Sequence, residues 1–232
     1  MKCRGWQLVL ALVLAACGSE EPAAEQGVTV EAARAIAEPE TAGPEHRILA
    51  FGNSLFAGYR VGERESYPAQ LEAALRGQGY MVRVINAGVS GDTSAAGLQR
   101  IEFVLDSLGT PPDLVIVELG GNDLLRGISP AETRENLGAI LAELQERRIP
   151  ALLMGMRAPP NLGEAFVREF DAIYPDLAGR YGAALVPFFL APVYDKPALI
   201  QDDKVHPTAE GIEALVAATM DDVATALPDQ RD

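Results

Sequence analysis

Four short segments of this chain carry groups that could perform acyl transfer, and they lie far apart in sequence. Gly52-Asn53-Ser54-Leu55 offers a hydroxyl, and Asn86-Ala87-Gly88-Val89-Ser90-Gly91-Asp92-Thr93 offers a glycine backbone. Glu118-Leu119-Gly120-Gly121-Asn122-Asp123 offers a primary amide, and Asp202-Asp203-Lys204-Val205-His206-Pro207 sets a carboxylate three residues before an imidazole. Each has an ordinary structural reading. Ser54 and Thr93 or Asp92 can cap helices, Gly91 can be a turn glycine, and Asn122 can bond its own backbone. Asp203 and His206 can simply open a helix whose first turn holds Pro207. Taken together they read differently, because serine attack on an ester needs a base, a carboxylate that orients it, and donors for an oxyanion. Asp203 is close enough on one turn to accept the Nδ1–H of His206 and aim Nε2 at Ser54. A glycine at 91 lets its N–H approach a substrate oxygen. The serine is not in a Gly-x-Ser-x-Gly elbow, since Leu55-Phe56 follow it.

Composition removes several rival chemistries. Cys3 falls in an N-terminal export segment and Cys17 closes that segment, so the folded part has no thiol for a disulfide, a nucleophile or a metal site. His46 and His206 are the only histidines and have no metal-ligand spacing, so no metal and no cofactor is expected. The chain has 33 acidic and 19 basic residues, a formal net charge of −14, and no basic run interleaved with aromatics. A nucleic-acid partner is therefore not expected. Dispersed acidity is read as solvated surface.

The elements that must position these groups follow from hydrophobic periodicity. With 232 residues the chain fits one catalytic domain plus an export segment and a linker. Five short, nearly continuous apolar runs, Ile48 to Phe51, Val82 to Ile85, Leu114 to Leu119, Ala151 to Met156 and Ala184 to Val186, predict strands buried on both faces. Helical spacing is predicted over Tyr67 to Arg76, Thr93 to Leu108, Ala131 to Arg148, Gly163 to Tyr181 and Pro207 to Leu227. Ser129-Pro130 with Glu132 marks the start of the third of these. The alternation predicts an α/β fold, a single-domain open doubly wound five-stranded parallel sheet with helices on both faces. Its binding crevice lies beyond the carboxyl ends of the strands, where all four segments fall. His46 falls at the opposite edge.

The N-terminus reads as an export signal, with Lys2 and Arg4 before an apolar stretch from Leu8 to Ala16 that is too short to span a bilayer. Leu14-Ala15-Ala16-Cys17 resembles the bacterial lipoprotein signal, which implies lipidation of Cys17 as the mature N-terminus. Gly18 after it, rather than Asp, implies no retention at the inner membrane. The expected organisation is a signal over 1–16, lipidated Cys17 and a linker rich in Ala, Glu, Gly and Pro over 17–45, a catalytic domain over 46–228 and a tail over 229–232. This places the domain in the cell envelope, at the outer membrane and facing the periplasm, held by the lipid on Cys17.

The four segments, in this order and spacing, resemble the SGNH (GDSL) hydrolase family, and within it the bacterial thioesterase, lysophospholipase and arylesterase group. The likeness runs from Ile48 to Leu227 and includes Gly58-Tyr59, Tyr67-Pro68, Arg126-Gly127 and Pro187-Phe188-Phe189. It implies a flavodoxin-like SGNH fold with Ser54 as nucleophile and Asp203 with His206 completing the triad. The Ser54 N–H, the Gly91 N–H and the Asn122 amide would form the oxyanion hole. One departure stands out: the family motif usually has Asp before the serine, and here it is Asn53. Losing that carboxylate removes a negative charge near His206, with activity expected to survive and the acid limb of its pH profile to shift.

Leu55, Phe56, Leu124, Leu125, Leu162 and Phe166 are candidates to line an acyl channel, though some can equally be core. The expected unit is a monomer acting on aryl and acyl esters, lysophospholipids or thioesters. The alternatives are a glycan O-acetyl esterase or acyltransferase using the same triad, and a non-catalytic binding lipoprotein.

Overall fold

Five apolar segments pair side by side, all parallel, in the computed structural model of the chain, which describes residues 45–228. The predicted signal over 1–16, Cys17, the linker up to residue 44 and the tail 229–232 lie outside the described residues. The strands are β1 (His46–Gly52), β2 (Val82–Gly88), β3 (Leu114–Glu118), β4 (Ala151–Met154) and β5 (Ala184–Val186), in the order β2-β1-β3-β4-β5. Strand order reverses between β1 and β3, so the crevice of the sheet opens there. Gly52 at the end of β1 is level with Gly88 on one side and Glu118 on the other, which brings three carboxyl ends together.

Burial explains the composition of the three central strands, whereas the edge strands β2 and β5, expected to be buried on both faces, are mostly half-buried or exposed. Every residue of β3 is buried, as a parallel strand covered on both faces requires. Two sets of helices do the covering. One pairs α2 (Tyr67–Gly77) with α8 (Ala209–Ala226), and the other joins α3 (Ser94–Ser107), α5 (Pro130–Glu146) and α7 (Ile173–Tyr181). Thr93, Ser129 and Thr208 each accept a first-turn backbone N–H and so fix where α3, α5 and α8 begin.

Three expectations need correction. Thr208 caps α8, so Pro207 stands before the cap rather than in the first turn, and it pairs with Ile200 in an isolated antiparallel bridge. The helix predicted over 163–181 is two helices, α6 (Glu164–Asp171) and α7, meeting at Ala172. Two short helices were not predicted at all, α1 (Ser54–Ala57) directly after β1 and α4 (Gly121–Arg126) after β3.

The floor beneath α1 is aromatic. Phe56 is fully buried and stacks on Tyr67 at 5.0 Å, while Phe189 meets both rings edge-on. The Tyr67 hydroxyl lies 2.6 Å from Thr219 Oγ1 and joins α2 to α8. Phe56 is therefore core, not channel wall.

Candidate active site

The loop that the isolated bridge closes, just before α8, delivers His206 to Ser54. Gln201 holds this loop closed: its N–H donates to the His206 carbonyl at 2.7 Å, and its amide donates to the Pro207 and Tyr59 carbonyls. His206 Nε2 lies 2.8 Å from Ser54 Oγ, and Nδ1 lies 2.8 Å from Asp203 Oδ2. The second carboxylate oxygen accepts the backbone N–H groups of Val205 and His206, each at 3.0 Å. Partial desolvation pushes the Asp203 carboxyl up, but those two backbone bonds and the imidazole outweigh it and bring it down to about 2. Asp203 is thus ionised at neutral pH and can only accept. The proton it accepts is on Nδ1, so Nε2 of the neutral ring is free to take the hydroxyl proton of Ser54. Tyr59 packs on the imidazole with ring centroids 4.2 Å apart.

Ser54 is the first residue of α1, whose cap is Asn53 rather than the serine itself. Asn53 Oδ1 accepts the Leu55 N–H at 3.0 Å and stands 3.4 Å from Ser54 Oγ. Its amide and backbone N–H donate to Glu118, at 2.9 and 3.2 Å, so none of its polar contacts runs to His206. The Ser54 N–H belongs to the first helical turn, where it has no intrahelical acceptor.

Asn122 sits in the first turn of α4, not on a loop, and its amide donates to the Asp92 carbonyl at 2.8 Å rather than to its own backbone. One amide hydrogen remains for a ligand in the cavity that Asn122 and Ser54 both line. Gly91 adopts φ +91°, which a side chain would resist, and it precedes Asp92, whose carbonyl takes the Asn122 amide, but it does not itself line this cavity. Two arginines pin its loop: Arg126 donates to the Gly91 carbonyl at 2.7 Å, and Arg100 bridges Asp92 at 2.6 Å to the Gly52 carbonyl at 3.0 Å. Asp123, fully buried, accepts from Ser94 and Thr133 and so locks α4 to the start of α3 and to α5.

The cavity measures about 470 Å³, within the usual range for a small-molecule site. Of the candidates for a channel wall, Leu55, Leu124, Leu125 and Leu162 line this cavity, while Phe166 stacks on Phe170 instead. The far wall comes from Phe188, Leu190, Val193 and Tyr194, which no periodicity marks as a pocket. Among the described residues, Arg157 and Lys204 are the only charged ones in the wall, and both are cations. Among the described residues, no group of acidic, histidine or cysteine side chains is arranged to hold a metal.

A hydroxyl, an imidazole and a carboxylate in line, opening on an apolar cavity at the switch point of a doubly wound sheet, define a serine hydrolase that cleaves esters. The chain belongs to the GDSL-like lipase/acylhydrolase family, whose pattern matches residues 50–214. It is 41% identical over 163 residues to the thioesterase 1/protease 1/lysophospholipase L1 of Escherichia coli (strain K12), covering 70% of this chain and 76% of that one. An arylesterase of Vibrio mimicus is 40% identical over 164 residues, 71% of this chain and 81% of its own. Among solved structures, the SGNH-hydrolase family esterase AlinE4 is 68% identical, with a TM-score of 0.68 over 80% of this chain and 98% of its own. The described strand order and the match agree on the SGNH-type α/β fold anticipated from the sequence.

Proposed function

We propose that this esterase works through an acyl-enzyme on Ser54 and takes acyl and aryl carboxylic esters, lysophospholipids among them. The unbroken relay Asp203, His206, Ser54, with both side-chain links at 2.8 Å, carries this reading. As Ser54 Oγ bonds to the carbonyl carbon, His206 Nε2 takes its proton. The oxygen of the tetrahedral adduct receives the Ser54 N–H, the Gly91 N–H and the free hydrogen of the Asn122 amide. His206 then gives its proton to the departing alcohol, or thiol if the substrate is a thioester, and water repeats the cycle on the acyl-enzyme.

The wall chemistry supports a fatty acyl chain rather than acetyl, which has no use for so much apolar surface. Arg157 and Lys204, both exposed and neither in an ion pair among the described residues, suit a phosphate or another anion beside the ester. The export signal and lipidated Cys17 would bring the enzyme, as a monomer, to lipids and esters of the cell envelope rather than to cytosolic thioesters.

The test is labelling by a fluorophosphonate together with turnover of a medium-chain p-nitrophenyl ester and a lysophospholipid. Wild type should be labelled and active, Ser54→Ala neither. Asn122→Ala should keep its fold and label slowly, losing roughly a hundredfold to a thousandfold in kcat. Turnover by Ser54→Ala would end the proposal, and a preference for acetyl over medium-chain esters would move it to the glycan esterase reading.

A further inference from the structure

The residue that stands where the family motif has aspartate makes its polar contacts with a buried carboxyl group. Glu118 ends β3 directly across from Gly52 and is completely buried. Its Oε1 accepts the Asn53 amide at 2.9 Å, and its Oε2 accepts the Asn53 backbone N–H at 3.2 Å. Among the described residues it has no cationic partner within ion-pair distance. The space it fills is the one Gly52 leaves open, since a Cβ on Gly52 would come within 2.9 Å of Oε2. Asn53 is thus held by both of its donors, and that fixes its remaining oxygen on the Leu55 N–H and beside Ser54 Oγ.

We infer that Glu118 is a positioning residue for Ser54 and acts through Asn53, whose amide makes the two side chains complementary. The inference rests on Ser54 being the nucleophile. Burial without a counter-cation pushes the Glu118 carboxyl up to about 8, and the bonds from Asn53 hold it back only in part. Both carboxyl oxygens nevertheless keep a lone pair whether or not the group is protonated. A glutamine does not: it has one acceptor for two donors, so one contact in Glu118→Gln must set N–H against N–H. Asn53 then has to turn, and the start of α1 turns with it.

Exchanging the groups repairs the fault. With Asn53→Asp and Glu118→Gln combined, the glutamine oxygen accepts the backbone N–H of residue 53 and its amide donates to the new carboxylate, whose other oxygen still caps α1. Asn53→Asp alone also stays complementary, because two carboxyls this close keep one proton between them.

The experiment measures kcat and KM on a p-nitrophenyl ester for wild type, both single variants and the double variant, with circular dichroism to follow folding. Glu118→Gln should lose roughly tenfold to a hundredfold in kcat with KM within about twofold of wild type, as a small misplacement of a reacting group does. The double variant should regain kcat to within a few-fold of Asn53→Asp. Wild-type kcat in Glu118→Gln, or a double variant no faster than Glu118→Gln, overturns the inference. Should Glu118→Gln not fold, the double variant against Asn53→Asp makes the same decision, with a much slower double variant counting against it. A wild type that no fluorophosphonate labels would instead remove the nucleophile itself, a result distinct from labelled protein with unaffected variants.

Discussion

Removing the charge of Asp203 while keeping its shape isolates what the carboxylate does for His206. In Asp203→Asn the side chain can turn its amide toward Nδ1, and the ring proton then moves to Nε2, which can no longer take a proton from Ser54. We expect kcat to fall on the order of 10²- to 10⁴-fold with little change in KM. The same variant has a stability signature. The native carboxyl sits at about 2 against its ordinary 3.8, so the charged form is favoured by folding. A group depressed in this way stabilises the fold above its unfolded value, and that contribution is lost as pH falls from 3.8 through about 2. Thermal unfolding of Asp203→Asn should therefore depend less on pH in that window than wild type does. Equal slopes would mean that the Val205 and His206 backbone bonds do not hold the carboxyl down.

The elements were legible where burial writes a period into the sequence. The run Ala184 to Val186 is β5 residue for residue, and β1, β3 and β4 begin or end within two residues of their apolar runs. β2 extends three residues further, through Asn86, Ala87 and Gly88, because its pairing with β1 uses main-chain groups and needs no apolar side chain. The helices α1 and α4, of 4 and 6 residues, are too short to show a period, yet they carry Ser54 and Asn122. Glu118 was hidden for a different reason: it falls inside the apolar run Leu114 to Leu119, where nothing local says what its carboxyl meets, and only the register of β1 against β3 shows it facing Gly52. Tyr59 and Gln201 meet across 142 residues of chain, and the far wall of the cavity is irregular backbone, so no hydrophobic period marks either, although Gly58-Tyr59 and Pro187-Phe188-Phe189 belong to the family likeness. The site's support can be tested at this scale. Tyr67→Phe keeps the stack under Phe56 and removes only the hydroxyl that joins α2 to α8, while Thr219 retains its bond to the Leu215 carbonyl. Stability should fall by about 1 kcal/mol in thermal or denaturant unfolding, with kcat unchanged. A loss of kcat instead would show that the position of α8, and with it the loop bearing His206, depends on that one bond.

Charge over the whole molecule decides how a membrane could hold it. A net charge of −14 opposes adsorption to an anionic lipid surface, and the sequence has no basic run to offer an electrostatic foothold. Among the described residues no helix is long and apolar enough to cross a membrane. If the protein is membrane-bound, the proposed acyl chains on Cys17 must supply the affinity, and two or more chains give a stable rather than a marginal anchor. Salt and mutation then act oppositely to what a peripheral charge-held enzyme would show. Wild type should remain in the membrane fraction through a high-salt wash, because screening removes repulsion and leaves the buried chains untouched. Cys17→Ala should move to the soluble fraction with its kcat on a soluble ester intact, since the proposed catalytic groups all lie between residues 54 and 206. Release of wild type by salt alone, or retention of Cys17→Ala on the membrane, would place the attachment somewhere other than Cys17.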